Sequence, residues 1–68
     1  MKIKVFIEET NEHRMINVDK GATITSLLSV LKQNPVAVVV AKNDTIVSEE
    51  TPLSEGDDVK IFSVISGG

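Results

Sequence analysis

Few side chains in this sequence could do chemistry on their own. The chain has no cysteine, which excludes disulfides, thiolate metal ligands and a cysteine nucleophile of its own. Its single histidine, His13, ends a polar run that starts at Glu8, where a solvated turn residue is a more common interpretation than a metal ligand. The remaining candidate is the end of VKIFSVISGG, a strand-like run that closes on Gly67, Gly68 and a carboxylate. A frayed terminus is the simpler alternative for these glycines.

A group of carboxylates precedes that final run. Its members are Glu49, Glu50, Glu55, Asp57 and Asp58. Such a run is most often a solvated loop, and the alternative is that it pairs with a basic surface on a partner and speeds association. Acid-base catalysis by carboxylates requires a water-poor cleft that separates their pKa values, and the sequence offers no place for one. We therefore expect a protein on which enzymes act, and not an enzyme.

Size and charge exclude several other classes. A chain of 68 residues forms one domain, and a body of this size buries only about 60% of its unfolded surface. The net charge is −3, the basic residues are scattered and the only aromatic residues are two phenylalanines, so nucleic-acid binding is not expected. No apolar stretch approaches the ~20 residues of a membrane span, and the first residues are typical of a strand and not of a signal peptide. We expect a cytoplasmic monomer.

The apolar pattern predicts a hairpin followed by one helix. Residues 1–8 alternate as a half-buried strand, with Phe6 as an exception on the polar face, and residues 14–18 form a second, antiparallel strand. Thr23 caps the helix. The helix carries one apolar stripe, formed by Ile24, Leu27, Leu28 and Leu31. Asn34 and Pro35 are predicted to end it, and no other helix is expected.

The second half of the chain predicts further strands. Residues 36–41 are β-branched and apolar, which favours a strand, and Thr45–Val47 is expected to pair briefly after a turn. Residues 48–56 form a loop that Leu53 attaches to the core. Residues 59–64 are the final strand. With a single helix, only one face of the sheet is covered, and the other meets solvent or a partner.

The segments MKIKVFI, GATITSLLSVLK, PLSEGDDVKIF and ISGG, in this order, resemble the ubiquitin-like β-grasp proteins. More narrowly, the chain resembles their prokaryotic branch: the sulfur carrier of thiazole biosynthesis, the small subunit of molybdopterin synthase and the small archaeal modifier proteins. The resemblance covers essentially the whole chain. It implies an α+β roll over residues 1–64, with a mixed four- to five-stranded sheet ordered 2-1-4-3 and a helix across one face. Residues 65–68 are then a flexible diglycine tail.

The resemblance also implies a chemical role for the tail. An E1-like activating enzyme uses ATP to adenylate the Gly68 carboxylate, and a sulfur donor or a cysteine attacks the adenylate; the chain itself binds no cofactor. Glycine suits this role because it has no Cβ to crowd the reacting carbonyl. Gly67 lengthens the part of the tail that has no side chains. Three functions stay open: a sulfur carrier for a cofactor or tRNA, a modifier joined to lysines of target proteins, and a non-covalent interaction module of the TGS type.

A docking surface is expected next to this tail. Ile65, Ser66 and the glycines extend only about 14 Å, so the body must dock close to the enzyme's active site. If the first and last strands are neighbours, Phe6, Phe62 and Val64 lie on the face opposite the helix. Lys4 and Lys60 flank them. Contiguous apolar residues on an exposed face favour a partner site, and the alternative is that the two phenylalanines pair across strands and shield the sheet.

Overall fold

One helix packs across a five-stranded mixed sheet in the computed structural model, which describes residues 1–64. The strands are β1 (Lys2–Ile7), β2 (Glu12–Asn17), β3 (Val38–Lys42), β4 (Thr45–Val47) and β5 (Asp58–Ser63). The helix α1 (Ile24–Val30) follows β2, and a 3-10 helix (Pro35–Ala37) precedes β3. This architecture confirms the expected fold class.

Strands β1 and β5 form the centre of the sheet, whose order is β2-β1-β5-β3-β4. They are parallel neighbours, with Val5 opposite Val59 and Phe6 opposite Lys60. β1 also pairs antiparallel with β2, and β5 pairs antiparallel with β3. The expected order is confirmed, and the short strand β4 extends it at one edge.

The helix begins where the sequence predicts and buries the predicted stripe. Thr23 and Ser26 form a capping box, in which the Thr23 side chain accepts a hydrogen bond from the Ser26 backbone N–H. The stripe packs against odd-numbered residues of β1 and β5. All these residues are at most 8% exposed: Ile24, Leu27, Leu28, Leu31, Ile3, Val5, Ile7, Val59 and Ile61. Leu53 joins them at 5% exposed, as predicted, so the loop is attached to the core.

The helix ends earlier than predicted. Lys32 adopts a left-handed conformation with φ of 58°, and its N–H donates to the Ser29 carbonyl over 3.1 Å. The N–H of Gln33 donates to the Leu28 carbonyl over 2.9 Å. These two bonds form a Schellman motif, which closes the helix before Asn34 and Pro35 are reached. The predicted stop at those two residues was wrong.

Two strand starts also differ from the prediction by two residues each. Pro35 begins a 3-10 helix whose first free N–H, that of Val36, donates to Asn34 Oδ1 over 3.2 Å. Val36 is 79% exposed, and the strand begins at Val38, so the prediction of a strand from residue 36 was wrong for its first two residues. The second difference concerns β2, which was predicted to begin at residue 14. It begins at Glu12, so His13 lies in a strand and not in a turn.

Candidate docking surface

The face of the sheet opposite α1 carries one continuous row of side chains across all five strands. Residues directly opposite each other in neighbouring strands point to the same side of a sheet. Following the pairing from β2 to β4 gives His13, Phe6, Lys60, Ala41 and Ile46. We call the face of the sheet opposite α1 the open face, and this row of five residues crosses its centre.

The structure places the predicted docking residues on or beside this row. Phe6 lies in it, Phe62 lies two residues further along β5 opposite Val39, and both rings are half-buried. Lys4 is exposed two residues before Phe6 on the same side of β1. Lys60 was expected to flank the phenylalanines, but it lies within the row, directly beside Phe6. The open face therefore carries both apolar and cationic groups.

Phe6 packs against a residue that the sequence did not suggest. Its ring centroid lies 4.7 Å from that of His13, with the planes at 40°. Its direct partners across the strands are His13 and Lys60, so Phe6 and Phe62 do not stand directly opposite each other. The signal that could have identified His13 is the alternation through Met15 and Asn17, which share its side of β2.

Two exposed apolar residues widen the open face toward its edges. Met15 in β2 is 57% exposed, and Ile46 in β4 is 64% exposed. Neither was predicted as part of the site. Exposed apolar groups that adjoin half-buried rings form a patch suited to a partner protein.

Lys60, in the middle of the row, forms an ion pair with a residue of the turn between β3 and β4. Lys60 Nζ lies 3.3 Å from Asp44 Oδ1, and the Asp44 side chain is 85% exposed. Asn43 and Asp44 both have positive φ, 51° and 69°, as the tight turn between β3 and β4 requires. Because this ion pair is solvated, it stabilises the fold by about 0 to 1 kcal/mol, and Lys60 stays available to a partner carboxylate.

One member of the acidic group is structural. Asp57 is 8% exposed and accepts hydrogen bonds from the Ser54 N–H over 2.7 Å and from Asn43 Nδ2 over 3.1 Å. Lys42 Nζ lies 3.9 Å away. Burial by itself raises the pKa of Asp57, but the two hydrogen bonds and the charge of Lys42 outweigh it, so the pKa lies below its ordinary value. The interpretation of the whole group as a solvated loop was wrong for Asp57.

Val64, the last described residue, lies just beyond β5. Its N–H donates to the Ala37 carbonyl over 3.0 Å, and its side chain is 53% exposed. The remaining predicted site residues, Ile65, Ser66, Gly67 and Gly68, lie outside the described residues. Val64 therefore lies beside the 3-10 helix.

Residues 1–64 contain no cluster of three or more His, Asp or Glu side chains placed to hold a metal ion. Within the same part of the chain, no helix is long and apolar enough to cross a membrane.

The fold and the open face define a small ubiquitin-like β-grasp protein. The chain matches the model of the ThiS family over residues 3–68, and it belongs to that family. Proteins of this family are small carriers on which partner enzymes act, so the expectation of a protein on which enzymes act, and not an enzyme, is confirmed. No curated protein matches the chain by sequence.

Several solved structures share the fold. SAMP1 from Haloferax volcanii superposes with a TM-score of 0.78 at 16% identity, with 100% of both chains covered. A putative molybdopterin converting factor subunit 1 from Pyrococcus furiosus has a TM-score of 0.78 at 21% identity, covering 94% of this chain and 98% of that one. The thiamine biosynthesis protein ThiS from Geobacter metallireducens has a TM-score of 0.64 at 21% identity, covering 96% and 99%. At these identities the likeness shows the fold alone.

Proposed function

We propose that this protein is a sulfur carrier whose Gly68 carboxylate is adenylated by an ATP-dependent, E1-like activating enzyme and then converted to a thiocarboxylate. The observation that carries the proposal is the extent of the family match, which runs through Gly67 and Gly68. The sulfur acceptor is a thiamine or molybdopterin precursor or a tRNA. Conjugation of Gly68 to lysines of target proteins is the second candidate, since it needs the same activated carboxylate.

The chemistry is divided between the tail and the partner. A Gly68 carboxylate oxygen attacks the α-phosphorus of ATP and displaces pyrophosphate, which leaves an acyl-adenylate. Hydrosulfide supplied by the donor enzyme then displaces AMP to give the thiocarboxylate, whereas a lysine amine that attacks the activated carbonyl displaces AMP to give an isopeptide bond. The chain contributes the carboxylate and two residues without Cβ, which fit a narrow channel. The partner supplies ATP and the catalytic groups.

Docking of the body on the activating enzyme uses the open face. The four residues after Val64 span at most about 14 Å, so the surface that contacts the enzyme must lie close to the start of the tail. Phe62 precedes Val64 by two residues and faces the same side as the central row. Lys4 and Lys60 favour a partner surface that places carboxylates around an apolar centre. Ile65 and Ser66 are expected to contact the channel that receives the tail.

Mass spectrometry of tagged protein recovered from its native cells tests the proposal. A free form in which one oxygen is exchanged for sulfur is the expected product, and the exchange should map to Gly68. Gly68 linked to lysines of other proteins would favour the modifier instead. The matched control is a variant with one extra residue after Gly68, which should show neither product. If neither product forms under several growth conditions, the covalent function is wrong and a non-covalent interaction module takes its place.

A further inference from the structure

The two edges of the sheet differ in how well they are protected. Natural sheets protect their edges with short strands, bulges or proline, because unpaired backbone groups attract other strands. At one edge, β4 is only three residues long. At the other, β2 has six residues, no proline and no glycine, and its register with β1 runs without a bulge from Lys2–Asn17 to Ile7–Glu12. β2 is therefore the edge that can accept another strand.

The hydrogen bonds at the start of the sheet show which β2 groups are free. Met1 and Val18 exchange two bonds, from the terminal amine to the Val18 carbonyl over 2.8 Å and from the Val18 N–H to the Met1 carbonyl over 2.9 Å. Residue pairs in an antiparallel ladder alternate between pairs that exchange backbone hydrogen bonds and pairs that do not. Since Met1 exchanges such bonds, the odd-numbered residues of β1 form the hydrogen bonds to β2. The even-numbered residues of β1 form hydrogen bonds on the opposite edge of the strand, toward β5. For example, the N–H of Lys4 donates to the Asp57 carbonyl over 3.0 Å.

This alternation leaves three residues of β2 with outward backbone groups. They are His13, Met15 and Asn17, which lie opposite even-numbered residues of β1. Their N–H and C=O groups point away from β1, and within the described residues no strand pairs with that side. The same three residues carry their side chains on the open face.

This edge is self-complementary in one antiparallel register. With Met15 on a two-fold axis, Met15 faces Met15 of the second copy, and His13 faces Asn17 of the second copy. All outward N–H and C=O groups are then paired, the exposed Met15 side chain is covered, and no like charges stand opposite each other. A register centred on Arg14 would instead place two guanidinium groups face to face, which is unfavourable.

We propose that two copies of this chain associate through β2 in the register centred on Met15. The two five-stranded sheets then join into one continuous sheet, with both open faces on the same side. This departs from the monomer expected from the sequence and does not depend on the proposed function. A strand-to-strand interface falls in the class below about 1,200 Å², so association becomes measurable at roughly 0.1 to 1 mM.

Sedimentation equilibrium with charge variants tests the register. The apparent mass of the wild type should rise toward twice 7.4 kDa with concentration. Met15→Lys and Met15→Glu each place like charges on the two-fold axis and should stay monomeric, while their equimolar mixture should associate at least as well as the wild type. Ile46→Lys, at the opposite edge, is the matched control and should associate normally. Met15 is 57% exposed, so its variants should keep the wild-type circular dichroism.

Amide chemical shifts followed over a dilution series provide a second, independent readout. The outward amides of His13, Met15 and Asn17 should shift with concentration, while the inward amides of Arg14 and Ile16 serve as internal controls and shift much less. A wild type that stays monomeric at about 1 mM, a Met15→Lys variant that still associates, or a mixture that fails to restore association would overturn the proposal.

Discussion

Asp57 joins the loop before β5 to the turn after β3 through its hydrogen bonds with Ser54 and Asn43. The pKa of Asp57 is lower in the folded protein than in the unfolded chain, where it is about 4. The ionised carboxylate therefore stabilises the fold fully above about pH 4, and this stabilisation is lost as the pH falls through the pKa of the folded protein. We expect Asp57→Asn to lower the free energy of unfolding at pH 7 by about 1–3 kcal/mol, and the difference from wild type to shrink near pH 3. Urea titrations at both pH values measure this.

Asp58→Asn is the matched control, because Asp58 is the neighbouring residue and its side chain is exposed. It should change stability little at either pH. A loss of stability in Asp57→Asn that is the same at pH 7 and pH 3 would contradict the charge-based explanation.

Phe62 is the residue that tests the docking surface. Because interface energy concentrates in a few large side chains, Phe62→Ala should weaken binding to the activating enzyme by about tenfold or more while the domain stays folded. Val30→Ala is the control, since Val30 is a 58% exposed apolar residue on the helix, away from the open face. Titration calorimetry with the purified enzyme measures both. Unfolding of Phe62→Ala, or binding equal to wild type, would exclude docking through this face.

At the scale of elements, the local pattern predicted where α1 begins but not where it ends or where β3 begins. The stripe of α1 and its Thr23 cap were predicted because spacing and side-chain chemistry determine both. The end of α1 was not predicted, because Lys32 is an ordinary residue. Its left-handed conformation accompanies two backbone bonds, from the Lys32 N–H to Ser29 and from the Gln33 N–H to Leu28. The β-branched run after Pro35 likewise favoured a strand, although the proline begins a 3-10 helix.

The Schellman motif gives a prediction for this element. Lys32→Gly should raise the free energy of unfolding by about 1 kcal/mol, because glycine adopts φ near 58° without the steric cost that a Cβ imposes. Lys32→Ala is the matched control: it removes the same charge but keeps the Cβ, and should bring no such gain. Thermal denaturation of the three proteins compares them. Equal stability of the glycine and alanine variants would show that the conformation at residue 32 is not strained.

At the scale of the whole molecule, the open face could be predicted only in part. Parallel pairing of the first and last strands, implied by the family resemblance, was enough to place Phe6 and Phe62 on one side. The partners His13 and Ile46 required the register of β2 and β4, which depends on turns that the local sequence does not determine. The tail residues 65–68 lie outside the described residues, so their role stays a prediction.

The tail gives a prediction at the same scale. Deleting Gly67 and Gly68, or adding one residue after Gly68, should abolish ATP-dependent activation, because the reacting carboxylate is lost or displaced. Stability should change little, since chain ends usually contribute little to a fold and the buried core within residues 1–64 extends from Ile3 to Ile61. Pyrophosphate release with the activating enzyme and urea unfolding measure the two effects. Activation that persists unaltered in either variant would reject both covalent functions.

The parallel pairing of β1 and β5 also has a mechanical consequence. A force applied between the start of β1 and the end of β5 pulls these neighbours in opposite directions along their length, so their hydrogen bonds are loaded together in shear. β5 is bonded to β3 on its other side as well, and both ladders resist the displacement. We therefore expect that a motor pulling on the tail while the first strand is held meets a high force threshold, whereas one pulling β2 off its edge opens the sheet one bond at a time.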